Sequence, residues 1–188
     1  LDDAGIAEQT AVFIVSDHGF TRTPRALKPN ALLRREGFLQ AGRGGKIAEA
    51  RAQVVAEGGM GLLYFTDPSL SEAERQRIRQ LFEHQEGIAQ VLEPNRFSSY
   101  GLPDPRADAH MADLVLLAKD GFGFSAKADG DEFIVPVEAA GSYPGNHGFD
   151  ANDKKMNAVF VAAGAGLKKG VRLGQIDNLD VAPTAAAL

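Results

Sequence analysis

Val12-Phe13-Ile14-Val15-Ser16-Asp17-His18-Gly19-Phe20 (VFIVSDHGF) runs four apolar residues straight into a serine, a carboxylate, an imidazole and a glycine. The apolar run, which spans residues 10–15, is rich in β-branched side chains and shows no polar alternation. It therefore reads as a strand covered on both faces, as in a parallel sheet. Sites in open α/β sheets gather beyond the carboxyl ends of parallel strands, and Asp17-His18 lies at such an end. A carboxylate and a neutral imidazole suit zinc or manganese. A bend at Gly19 can turn toward one ion two neighbours that a straight strand sends to opposite faces. Taken alone, the dipeptide reads equally well as an Asp capping the following turn beside a His packed on Phe20.

Outward from this strand the chain alternates strands with helices. Residues 28–37 (KPNALLRREG) predict a short helix, with Pro29 near its first turn and Gly37 where a left-handed cap is wanted. Phe38-Leu39 restarts an extended segment, residues 41–45 are a glycine-rich loop, and residues 47–57 fit either a hairpin or a helix. Residues 61–66 predict a strand. Ser71-Glu72-Ala73-Glu74 then fits a capping box opening a helix to about His84, with Ile78, Leu81 and Phe82 as its buried stripe. With a further strand at 88–92, residues 61–92 form a β-α-β unit. Beyond the turn-rich residues 94–106, residues 113–118 predict a fully buried strand, and 121–125 with 132–135 an antiparallel excursion. Residues 139–153 form a long loop, 158–163 the last clear strand, and 179 onward a helix starting near Asn178. The class implied is α/β, with a largely parallel central sheet flanked by helices. Residues 40–112 form a smaller α+β insertion between core segments 1–39 and 113–188.

Composition narrows the partners. The 188 residues are 44% hydrophobic, enough for a substantial core, and the formal net charge is −5. The 20 Lys and Arg are scattered, so no basic footprint for a nucleic-acid polymer exists. The absence of cysteine leaves Asp, Glu and His as the metal ligands. No run approaches the roughly 20 apolar residues of a membrane helix, so a membrane is not expected as a partner. The chain opens at Leu1 in what reads as the tail of a helix and ends on VAPTAAAL, which predicts a fragment of a longer protein.

A second constellation is Gly141-Ser142-Tyr143-Pro144-Gly145-Asn146-His147-Gly148-Phe149-Asp150, which repeats the His-Gly-Phe of residues 18–20. A histidine between two glycines lies on backbone free to adopt unusual dihedrals, which is how a loop can deliver an imidazole to a strand end; alone it reads equally as a solvated loop. Ser16-Asp17-His18-Gly19, the Asn30–Leu39 stretch, Gly145-Asn146-His147-Gly148-Phe149-Asp150, Met156-Asn157-Ala158-Val159-Phe160-Val161-Ala162-Ala163, Leu167-Lys168 and Ile176-Asp177-Asn178-Leu179-Asp180-Val181-Ala182-Pro183-Thr184 together resemble, in order, the C-terminal portion of type I phosphodiesterase/nucleotide pyrophosphatase proteins of the alkaline phosphatase superfamily. The likeness is diffuse between about residues 40 and 110.

The resemblance implies an alkaline-phosphatase-like fold and, in the full-length protein, two divalent ions, zinc as a rule in the family. It implies a small phosphoester or nucleotide substrate, attacked by a Thr or Ser nucleophile. By position it makes Asp17 and His18 ligands of the nucleophile's metal and His147 a ligand of the other. The nucleophile, a further aspartate and an Asp-x-x-x-His pair lie upstream of the SDHG strand in the family pattern, and only 16 residues precede Asp17. No catalytic residue is therefore assigned within the chain, which is expected to be inactive alone and to need the N-terminal half of its protein as partner. Relatives of this kind are often exported, favouring a periplasmic or secreted location over the cytoplasm. The alternatives are a phosphomonoesterase, phosphonate hydrolase or sulfatase-like member of the superfamily, and a non-catalytic binding lobe.

Other candidates weigh less. His110 reads as strand-entry packing or solvent-exposed, and His84 as exposed beside a helix C-terminus. Asp150 and Asp153 either orient His147 or close turns. Arg22 and Arg25 could approach a phosphate, and Phe20, Phe122 and Phe124 could line a base pocket, although core packing explains the aromatics more simply. Gly42, Gly44 and Gly45 lack the Lys-Ser/Thr of a phosphate loop and read as a flexible segment.

Overall fold

The computed structural model describes residues 1–188. In chain order it contains β1 (Ala11–Val15), β2 (Thr21–Arg22), β3 (Arg25–Leu27), α1 (Pro29–Arg35), β4 (Leu39–Ala41), β5 (Ile47–Ala50), β6 (Ala52–Glu57), β7 (Met60–Phe65) and α2 (Glu72–Glu83). There follow β8 (Ile88–Leu92), α3 (Pro94–Phe97), β9 (Leu114–Ala118), β10 (Phe122–Phe124), β11 (Ile134–Pro136), β12 (Gly145–Asn146), β13 (Phe160–Gly164) and α4 (Val181–Ala186). The class is mixed α/β. Two units emerge, one from Leu1–Gly19 with Asn157–Leu188, the other from Phe20–Met156.

The larger unit is built on a four-stranded sheet in the order β6-β7-β9-β8, every neighbouring pair antiparallel. The β-α-β unit predicted over 61–92 is present in split form: β7 and β8 run parallel to each other, but β9 lies between them and opposes both. The run Leu114-Val115-Leu116-Leu117-Ala118 is apolar throughout because both of its faces are covered. Leu114 and Leu116 join Leu32 and Leu33 of α1 and Ile78 and Phe82 of α2 in the main core. Val115 packs on the opposite side with Leu92, Phe97 and Ala112. A continuous apolar strand thus reports two covered faces and carries no information on direction, which is why the largely parallel sheet expected from such runs is not what the structure has. The one parallel pair is β3 with β10. Strands β10 and β11 do not form the predicted excursion with each other; they flank β3 on either side, β11 antiparallel.

Local chemistry accounts for the elements around this sheet. Residues 47–57 resolve as β5 and β6, and β6 continues through the hairpin into β7. Helix α2 opens on a complete capping box: Glu74 N–H donates to Ser71 Oγ, and Ser71 N–H donates to Glu74 Oε2 at 2.8 Å. Those bonds and Arg51 hold the Glu74 carboxyl at about 2, and Arg51 with Ser69 does the same for Asp67.

Asn30 in α1 is fully buried and acts as a substitute strand along the edge of β6. Its Nδ2 donates to Val54 O at 2.8 Å and to Ala126 O at 3.1 Å, and its Oδ1 accepts from Val54 N–H at 2.8 Å. Replacing Asn30 by Ala strands both backbone groups of Val54 away from water and should cost about 3 kcal/mol of stability, since each unsatisfied buried group costs roughly 1–3 kcal/mol. Urea unfolding measures this, and a loss below about 1 kcal/mol would contradict the role assigned.

In the smaller unit, β1 pairs antiparallel with β13 from Ala11 opposite Gly164 to Val15 opposite Phe160, with Phe13 edge-on to Phe160. The predicted strand exists, but it is neither parallel nor covered on both faces. Its sheet has only two strands, and Ile14 is 61% and Val161 52% exposed.

Candidate functional site

Asp17 and His18 emerge where β1 ends, and the strand end is held on two sides. Ser16 N–H donates to Val159 O at 3.1 Å and Ser16 Oγ accepts from Val159 N–H at 2.9 Å. Asn178, near which the last helix was expected to start, donates its side-chain amide to Asp17 O at 2.7 Å. A turn and a donor pair coexist in Asp17: Oδ1 accepts from His18 N–H at 3.0 Å, closing the turn, while Oδ2 lies 3.4 Å from His18 Nε2.

That separation bears on a metal. Two ligands of one tetrahedral zinc, each at about 2.1 Å, stand about 3.4 Å apart. The other imidazole nitrogen, Nδ1, is 3.0 Å from Gly19 O, a carbonyl that can only accept. With its proton on Nδ1 the ring meets this carbonyl and turns the Nε2 lone pair toward the carboxylate, which is the tautomer a metal ligand needs. The Asp17 carboxylate is 85% exposed, open to an ion from solvent. One Asp17 oxygen closes the turn, Phe20 packs on His147, and the second Asp17 oxygen with His18 Nε2 is a donor set that fits a divalent ion. They make two ligands; no three His, Asp or Glu side chains of the chain group closely enough to hold a metal.

His147 belongs to the larger unit. It follows β12, whose Gly145 and Asn146 pair with Arg22 and Thr21 of β2, and Thr23 N–H donates to Pro144 O at 2.8 Å. The imidazole stands edge-on to Phe20, with ring centroids 5.6 Å apart. The backbone N–H of His147 donates to Asn146 Oδ1, and its backbone carbonyl accepts from Gly59 N–H at 2.7 Å. The contact with Gly59, at the β6–β7 turn, was not legible beforehand, because the two lie 88 positions apart in the chain.

The remaining candidates take structural roles. The His110 side chain is 99% exposed beside Asp108, and His84 terminates α2. Asp150 accepts from Asn152 N–H and Asp153 from Lys155 N–H, so both close turns. Arg25 stacks over Phe122 and pairs with Glu86 at 2.8 Å. Phe122 and Phe124 are core, whereas Phe20 is 64% exposed. Gly44, at a φ of 70°, shapes a single 3-10 turn.

A model of the type I phosphodiesterase / nucleotide pyrophosphatase family matches residues 1–150, a span that includes Asp17, His18 and His147. The chain belongs to this family. Type I phosphodiesterase/nucleotide pyrophosphatase sequence thus extends across both units of the fold. Two solved structures are also similar, both described as phosphonoacetate hydrolase from Sinorhizobium meliloti 1021, one in complex with phosphonoformate and the other with phosphonoacetate. They share 19% and 18% identity with the chain at a TM-score of 0.46. The match covers 87% of this chain and 39% of theirs, so the chain spans well under half of their length. No curated protein sequence matches it.

Proposed function

We propose that the chain is the C-terminal part of a two-metal phosphohydrolase that cleaves phosphodiester or pyrophosphate bonds, its fold completed to an alkaline-phosphatase-like core by preceding chain. In this reading residues 1–39 and 113–188 contribute to that core and residues 40–112 are its insertion. The observation that carries the reading is the Asp17–His18 pair, with a carboxylate oxygen and an imidazole nitrogen 3.4 Å apart and the opposite ring nitrogen tied to Gly19 O. Family membership supports it.

Asp17 and His18 are assigned to the nucleophile's metal and His147 to the second. Divalent ions bound there, zinc by the family's habit, supply an activated oxygen nucleophile and neutralise charge on the phosphoryl group. Asp17 contributes a full negative charge to offset the cation. Gly19 holds His18 in the tautomer that presents a lone pair. The nucleophile is assigned to chain preceding residue 1, and the exposed Val12, Ile14 and Val15 of a two-stranded sheet support further strands and helices packing there. No helix is long and apolar enough to cross a membrane. A periplasmic or secreted location remains part of the proposal.

Turnover of a nitrophenyl phosphodiester by the complete protein with zinc tests the reading against its alternatives. Rates on the diester that exceed those on nitrophenyl phosphate, phosphonoacetate and nitrophenyl sulfate are expected. Preference for one of the latter would reassign the substrate class, and no turnover of any would indicate a binding lobe.

A further inference from the structure

We propose that the tip of the β6–β7 hairpin, Glu57-Gly58-Gly59, is a positioning element for His147; the inference deepens the metal-ligand reading of that residue and rests on it. The two segments meet backbone to backbone. Gly59 N–H donates to His147 O at 2.7 Å. A Cβ on Gly58 would stand 2.2 Å from His147 O and 2.7 Å from Asn146 Oδ1. A Cβ on Gly148 would stand 2.0 Å from Glu57 O, and one on Gly59 would enter the Phe149 ring at 2.5 Å. From a third segment, Gly123 of β10 leaves room for the Asn146 amide, 3.0 Å from where its Cβ would be. Three glycines, Gly58, Gly59 and Gly123, therefore converge on residues 146–149, the residues that flank and include His147, and a fourth, Gly148, lies among them against the Glu57 carbonyl.

The hairpin tip is itself fixed to the sheet. Gly58 O accepts from Phe124 N–H at 2.7 Å and Gly59 O from Ala118 N–H at 2.9 Å, which ties it to the ends of β10 and β9. Phe149 packs against the main core. The position of His147 is thus referred through the hairpin to buried strands, and Phe20 sets the imidazole from the side. A backbone-to-backbone clamp holds its target without the rotamer freedom a long side chain would keep. Residues 40–112 consequently have a role at the site beyond occupying an insertion: they supply the post on which one proposed metal ligand is mounted.

Gly59→Ala isolates the effect, because Gly59 has no positive φ and the three atoms nearest the added methyl all belong to the Phe149 ring. Gly42→Ala, whose Cβ has no neighbour nearer than 3.7 Å, is the control. The readout is the imidazole NMR resonances of the chain's four histidines, with His147 assigned through His147→Gln, followed by titration of the complete protein carrying the same substitutions with zinc alone. Gly59→Ala is expected to move the His147 resonances while leaving His84 and His110 in place, and to weaken the zinc response of His147 by about 10-fold or more, as loss of outer support does for metal ligands. Phe149→Ala, which removes the same contact from the other side, is expected to move His147 as well. Unmoved His147 resonances in either folded variant overturn the proposal. Movement of His147 in the chain with no zinc response at His147 in the complete parent protein keeps the positioning role and removes the ligand role.

Discussion

Replacing Asp17 by Asn in the catalytically competent protein is expected to lower phosphodiester turnover by about 10²-fold or more, since the exchange removes a charge and a metal donor where even supporting residues cost about 10–100-fold. The substitution separates the two roles of the side chain. Asn Oδ1 can still accept from His18 N–H, so the turn after β1 should survive with its Ser16 and Asn178 ties intact. What is lost is the second oxygen facing His18 Nε2 and its negative charge. His147→Ala should have a comparable effect by opening a coordination position on the other ion. Steady-state kinetics alongside thermal melts decide the matter: near-normal rates in either folded variant would end the assignment of that residue.

The second large effect concerns the 188-residue chain on its own. It is expected to be inert toward a nitrophenyl phosphodiester and to retain fewer than two zinc ions. Each ion would keep at most two of its proposed protein ligands, and the hydroxyl nucleophile would be missing. Two firmly held zinc ions by elemental analysis, together with turnover, would refute both statements.

How far the sequence could be read depended on which physical signal a segment carried. The capping box at Ser71 and Glu74, the Pro29 helix start and the αL position at Gly37 were legible because each is a local bond or dihedral requirement. Strand positions at 61–66, 88–92 and 113–118 were legible because each is a short apolar run. Strand direction was not: Leu114 to Ala118 are apolar because α1 and α2 cover one face and Phe97 the other, and the same run would serve a parallel sheet. The segment order hid the insertion of β9 between β7 and β8, a pairing decided by long-range packing.

At the site, Asp17 and His18 could be found as a donor pair at a strand end. That one carboxylate would both close the turn and face the imidazole could not be, because it depends on the rotamers of two adjacent residues. His147 looked like a residue on a loose glycine loop. Its neighbouring glycine instead permits close approach, since Gly148 has a φ of 73° and lies against the Glu57 carbonyl. The paired glycines at 58 and 59 were the available signal, and without knowledge of the fold they marked only a turn.

The most direct measurement is a crystal structure of the complete protein grown with zinc, with anomalous scattering recorded on both sides of the zinc edge. One peak is predicted within about 2.0–2.2 Å of an Asp17 carboxylate oxygen and His18 Nε2, with a second peak on the His147 imidazole. Zinc peaks that omit these residues, or a His18 Nε2 that donates a hydrogen bond in place of binding metal, would contradict the account.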